Sequence, residues 1–404
     1  MPPGDQRVAP APPTSGGSGD GGAGRSLRAL IRLLRLSGMA IRPRPRRCSL
    51  LWYSLLYALL TVGCWVAVRD DVRRGLDAEK RGEHWVNATL ESHFFGLTMA
   101  LVWLALTLTF VIGSRRFDAL LDELPQLLHE RQVLAASYGG GGSASGRNLS
   151  LLWLKAVVIV TAIFISLCIE KVVSTDCAAP VTCATSLLKD AMKCFILTFS
   201  QLVPLKYMFT GVLLNDSLHT LNAALVAVAV EDPVMLPPHL ERLQTRLSAL
   251  LARLTSAMAA DLVVPTLFGV LAEIQVVTAL VHLVTARAGP VSVMFPAAQA
   301  VLVVLLLVAP CETCQRLLSG VSASRDHLLL LERRLGAGPA RSTAAWMREA
   351  AARDLENFGD LGLFRLRRAT LLSIVSATIT YMIVMAQFLS SSGSPAADDA
   401  FEVS

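Results

Sequence analysis

Residues 49–68 read SLLWYSLLYALLTVGCWVAV and residues 291–310 read VSVMFPAAQAVLVVLLLVAP, each twenty residues without a charged side chain. At 1.5 Å rise per residue, such a helix is about 30 Å long, the thickness of a bilayer's hydrocarbon core. Five further stretches repeat the pattern, at about 94–113, 151–170, 191–214, 262–285 and 369–389. Lys206 interrupts the fourth span, and Glu273 and His282 the fifth, yet the alternative is a long apolar loop in water. Composition agrees: of 404 residues 53% are hydrophobic and 17% charged, where soluble domains carry roughly a quarter. Mean hydropathy is +0.53. An open chain in lipid must satisfy its own backbone hydrogen bonds, which selects helices. No ten-residue alternating segments point to a membrane β-barrel. The fold class is therefore all-α, a polytopic membrane protein with seven transmembrane helices.

Orientation follows from the basic residues, since loops rich in Lys and Arg stay in the cytoplasm. Taken alternately, the segments 1–48, 114–150, 215–261 and 311–368 hold 26 of them. The opposite set, 69–93, 171–190, 286–290 and 390–404, holds 8. The N-terminus is thus expected inside and the C-terminus outside. Asn87-Ala88-Thr89 then forms a glycosylation sequon in an outer loop, and Cys177 and Cys183 fall where a disulfide is chemically permitted. Inner sequons at Asn148 and Asn215 arise by chance. A G-protein-coupled receptor has the reverse orientation and would carry D-R-Y and N-P-x-x-Y signatures, which this sequence lacks.

Outside the spans, residues 1–24 are rich in Pro, Gly, Ser and Ala and read as a disordered cytoplasmic tail, with no cleavable signal peptide ahead of the first span. In the 25–48 segment, Arg25, Arg28, Arg32 and Arg35 line one side of a helical pattern, opposite Leu27, Leu30, Ile31 and Leu34. Such a basic amphipathic segment is expected to lie on the anionic inner leaflet. Leu240, Leu243, Leu247, Leu250, Leu251 and Leu254, and later Leu328, Leu331 and Leu335, recur at helical spacing and predict helices extending below the membrane. Cys311-Glu312-Thr313-Cys314 is one C-x-x-C without a second pair or histidines, which does not make a zinc site, so no metal is expected. Gly139–Gly142 is a flexible loop with no G-K-[ST] after it, so not a phosphate cradle. No hydrolytic constellation, cofactor motif or nucleic-acid signature is present, and enzyme activity is not expected.

The last span reads ATLLSIVSATITYMIVMAQF. Within it Thr380-Tyr381, five apolar residues, and Gln387-Phe388 resemble the T-Y-(five hydrophobic)-Q-F signature of insect gustatory receptors. The approach Gly362-Leu363-Phe364-Arg365-Leu366 and the Leu221-Asn222…Leu225 element after the fourth span are similar to that family as well. Met382 stands where sugar-receptor members carry an acid, against a sugar ligand. The resemblance implies a ligand-gated, non-selective cation channel in the plasma membrane of a chemosensory neuron. It implies four subunits, as homo- or heterotetramer, around a pore lined by the seventh helices (369–389). A tastant pocket would lie within each subunit's spans in 49–310. The 311–368 segment would belong to a shared cytoplasmic anchor, and 390–404 would form a short extracellular tail. Na+, K+ and Ca2+ would be the permeant ions.

The residues themselves carry part of this. At helical spacing Thr380, Val384 and Gln387 share a face, with Tyr381 and Phe388 beside it. An amide facing hydrocarbon costs several kcal/mol unless partnered. Gln387 therefore either bonds a neighbouring helix or hydrates cations, with Phe388 or Val384 closing the path by dewetting. Lys206 and Glu273 are placed to pair between helices. Glu273, Glu170 and His282 are also candidate ligand contacts, as intramembrane ionisable groups are by default. Trp103 and Gln299 would add an aromatic wall and an amide. An odorant-receptor-type channel and a seven-helix G-protein-coupled receptor are the alternatives, with a transporter third. A C-terminal tag should stain on unpermeabilised cells and Asn87→Gln should remove a glycan shift on gels; a tag reached only after permeabilisation would reverse the orientation.

Overall fold

The computed structural model describes residues 51–59, 61–63, 103–138, 180–231, 236–285 and 290–392, with isolated positions elsewhere (31, 32, 35, 65, 69, 100, 101, 159, 162, 165 and 166). The tail 1–24, Asn87, Glu170, Cys177, Gly139–Gly142 and most of the expected third span lie outside the described residues. Helix α1 is Leu51–Gly63. A helix running through 103–108 passes into a π-helical turn, Thr109–Gly113, and on into α2, Ser114–Tyr138. Then follow α3 (Pro180–Glu231), α4 (Pro238–Thr285), α5 (Pro290–Arg334), α6 (Pro339–Asn357) and α7 (Arg368–Ser392). No strand occurs among the described residues.

Helices α3 to α6 each begin on a proline, whose fixed φ and missing N–H suit the first helical position. At 52, 48 and 45 residues, α3, α4 and α5 are roughly 68–78 Å long, more than twice the apolar core of a bilayer. Val203–Val230 and Pro296–Arg334 are long and apolar enough to cross a membrane, and a bent pair in α4 makes a third such helix. Over much of their length these helices pack against one another as a bundle. Leu240, Leu243, Leu247, Leu250, Leu251 and Leu254 of α4 are all buried, as the leucine spacing predicts, and Leu328 and Leu331 of α5 join them. Burying each such side chain contributes about 1.5–3 kcal/mol, so this bundle is where most packing energy sits. The core continues into α2 (Phe117, Leu120, Leu124, Leu127) and α6 (Met347, Ala351).

Helix α4 bends by 43° between Pro238–Ala259 and Asp261–Leu271. Pro265 accounts for the bend, because its ring lacks the N–H that would bond the carbonyl of Asp261 and clashes with that turn. Asp261, fully buried at the bend, forms an ion pair with the equally buried Lys206 of α3 and accepts a hydrogen bond from the Tyr207 hydroxyl. The Lys206 ammonium also lies 4.8 Å from the Phe117 ring centroid and 5.0 Å from that of Tyr207. The Asp261 carboxylate rests directly on Gly113: a Cβ there would stand 1.5 Å from Asp261 Oδ1. The wider π-turn ending at Gly113 brings a bare backbone to this spot.

Lys206 therefore pairs with Asp261 and not with Glu273. Glu273 lies twelve residues along α4 from Asp261, roughly 18 Å, beyond the reach of a side chain already committed to Asp261. Arg35 likewise does not belong to a lipid-facing row. Its guanidinium donates to the fully buried Asp118 at 3.0 and 3.2 Å and to Asp122 at 3.4 Å, and its carbonyl accepts from Tyr53. Charge-assisted bonds to a buried carboxylate thus hold the Arg35 side chain on α2. Lys206→Met should cost about 3–5 kcal/mol by stranding Asp261, as should Gly113→Ala by displacing it. Adding Asp261→Asn to Lys206→Met should recover much of the loss, read as the melting temperature of detergent-solubilised protein; no recovery would mean that the charges are not coupled.

Candidate functional site

Helix α7 starts from a constrained base. After Phe358 the chain turns through Gly359 (φ +77°) and Gly362 (φ +87°), a region that favours glycine. Leu366 N–H donates to Gly359 O at 2.8 Å and Leu361 N–H to Phe364 O at 3.1 Å. Phe358, Leu361 and Leu366 are buried beneath this turn. Asp360 accepts from Gly362 N–H (2.9 Å) and from Arg365 (3.2 Å). The Gly362 hydrogen bond first, then Arg365, holds the Asp360 carboxyl below the usual carboxylate range. The Gly362–Leu366 stretch noted in the sequence is thus a rigid hook leading into α7.

At the first residue of α7, Arg368 grips Glu312 of α5 with two parallel bonds, Nε to Oε2 and Nη2 to Oε1, both 3.0 Å. Glu312 also accepts from Arg316, one turn on along α5, at 3.1 Å. One carboxylate serves two guanidiniums. Beside it, between α3 and α5, lies a cavity of about 20 Å³, lined by Met208, Gly211, Asn215, Ala309, Thr313 and the Glu312–Arg316 pair. It has room for about one water molecule.

Above the base, α7 leans on α4 and α5. At 100° per residue its surface divides into three stripes. Leu371, Ile374, Thr378 and Tyr381 are half-buried against the chain's own helices. Leu372, Val375, Ile379 and Ile383 form an exposed apolar stripe. Ser373, Ser376, Thr380, Val384 and Gln387 form an exposed, mostly polar third stripe. Thr380 and Ser373 hydroxyls bond back to Ser376 O (2.9 Å) and Ala369 O (3.1 Å), so their acceptor lone pairs point outward from the helix. The expected face of Thr380, Val384 and Gln387 is uncovered by the chain itself, and Ser373 and Ser376 extend it; the same 3-4 spacing could have revealed them. The Phe388 side chain lies outside the described residues.

The expected ligand contacts are not assembled by the described residues. Trp103 Nε1 donates to Thr61 of α1 at 3.3 Å, which is helix packing. Glu273 is half-buried and Oε2 has no hydrogen-bond partner among the described residues, while Gln299 is half-buried on α5. The side chains of His282 and Cys183 lie outside the described residues; Cys183 falls in the first turn of α3, before the expected span. Asn222 has a structural duty. Its amide donates to Gly320 O (3.0 Å) and its carbonyl accepts from Ser324 (2.6 Å), joining α3 to α5 between the fully buried Leu221 and Leu225. Cys311 and Cys314 are buried free thiols, and no metal-binding cluster occurs among the described residues.

The chain has the fold of the insect olfactory receptor OR5 from Machilis hrabei, with a TM-score of 0.60 over 90% of this chain and 99% of that one, at 15% identity. The same receptor in complex with eugenol superposes with a TM-score of 0.60 at 14% identity, over 90% and 98% of the two chains. No protein-family model matches the sequence, and no curated protein matches it either.

Proposed function

We propose that the protein is a gustatory-type receptor, a cation channel opened by a small-molecule tastant in the plasma membrane of a sensory neuron. The observation that carries this reading is the polar stripe of α7, left bare by its own chain. Exposed hydroxyls along a membrane-length helix suit polar neighbours or water better than lipid. A ring of four copies supplies both, with Gln387 and Thr380 facing a hydrated axis and Val384 or Phe388 closing it. The OR5-like fold and the Thr380-Tyr381…Gln387-Phe388 pattern support the same reading. On this reading the leucine-packed extensions of α3 to α6 form the cytoplasmic anchor, the termini lie inside and outside as the basic residues predict, and weak selectivity follows from a stripe without acids.

Ligand recognition is assigned to the upper spans, with Trp103, Glu170, Glu273, His282 and Gln299 as contacts. Gating needs little from each pocket. Moving a pore from 1:99 to 99:1 open requires about 5.5 kcal/mol, or roughly 1.4 kcal/mol for each of four sites. That is one good hydrogen bond. The second reading, an odorant-receptor-type channel, is favoured by the olfactory neighbour with eugenol and by Met382, which removes an acid suited to polyols.

A panel of sugars, bitter compounds and volatile phenols, eugenol included, screened by whole-cell recording decides between the two. Tastant-evoked, weakly selective cation current supports the gustatory reading; response only to volatiles supports the odorant one. Gln387→Ala at normal surface density should change conductance or open probability severalfold; unaltered currents would remove Gln387 from the pore.

A further inference from the structure

We propose that Glu312 is the positioning residue of the pore helix: by holding Arg368 at the base of α7 it sets the resting open–closed balance. This rests on the reading of α7 as the pore helix. Three observations carry it. The bidentate Glu312–Arg368 grip falls on the first residue of α7, directly after a hook whose buried Phe358, Leu361 and Leu366 fix the other end of the pivot. Above that point α7 has only a half-buried stripe against its own chain, so the orientation of its base controls the direction of everything beyond. The third observation is charge. Glu312 neutralises Arg316 and Arg368 together, and Arg365 and Arg367 stand close by in sequence.

The charge balance sets an order. Removing Glu312 does more than delete an attraction: it leaves two guanidiniums facing one another and pushes the base of α7 off α5. Removing Arg368 only deletes the attraction. A partly exposed ion pair changes an equilibrium roughly threefold. If four subunits open together, a threefold factor in each compounds to about 80-fold.

The test uses full-length protein in cells, with no ligand added, reading sodium-carried basal current per surface-labelled copy. E312Q should change this current at least tenfold and R368Q change it less in the same direction. The double variant E312Q/R368Q should fall back toward R368Q, because the facing cations are gone. The charge exchange E312R/R368E, which restores one acid between two bases, should return close to wild type. Equal basal currents in all variants would overturn the proposal, as would a double variant worse than E312Q, since a merely structural pair would accumulate damage.

A second readout is independent of conduction. Trypsin cleavage after Arg365 and Arg367 in detergent-purified protein should be several times faster in E312Q than in wild type. Faster cleavage with no current in any protein, wild type included, would leave the grip standing and reject the channel reading. Unchanged cleavage would overturn the grip itself.

Discussion

An ammonium and a carboxylate, both withdrawn completely from solvent, meet where α3 crosses the bend of α4. Taking two charges out of water costs several kcal/mol per ion, which only close pairing and further hydrogen bonds offset. Here the Tyr207 hydroxyl, the Phe117 ring and the bare Cα of Gly113 complete the enclosure. Three segments must therefore arrive in one register: the π-turn before α2, the middle of α3 and the proline-induced bend of α4. A slip of one residue in any of them would strand a charge. That constraint ties the π-turn, α3 and α4 together beside the bundle packed on the leucines of α4.

The same bundle explains how α7 can be so lightly held. Its base is fixed by the glycine hook and by Glu312, both supported on α5 and the bundle, so the rest of the helix needs little from its own chain. A helix with one stripe packed, one apolar and one polar suits three neighbours: its own subunit, lipid or an adjacent copy, and water. On the proposed reading each stripe meets a different medium, as a helix at a subunit boundary around an aqueous axis would.

Much of this was legible in the chain itself. Membrane-length runs are visible as uncharged stretches, and the last of them, expected at 369–389, is α7 at Arg368–Ser392. The leucine ladder of α4 identified a packed face because helical period and burial coincide there. The pairing of Lys206 was not legible. Asp261 sits at the edge of a polar segment, and nothing local says that Pro265 bends α4 to carry it inward. Arg35 was misassigned for a related reason: its partner Asp118 lies 83 positions away, and a basic helix next to a span looks the same whether lipid or protein receives it. The double duty of Glu312 was hidden too, since ion pairs between helices leave no trace in spacing.

The claim that most else depends on is that the Thr380–Val384–Gln387 stripe of α7 borders an aqueous conduit. Substituted-cysteine accessibility tests it directly, with a membrane-impermeant, positively charged thiol reagent applied from outside during current recording. Cysteines at 380 and 387 should react and block the current, while a cysteine at 379, on the apolar stripe, should not. Reaction at 379 with 380 and 387 silent would contradict the account.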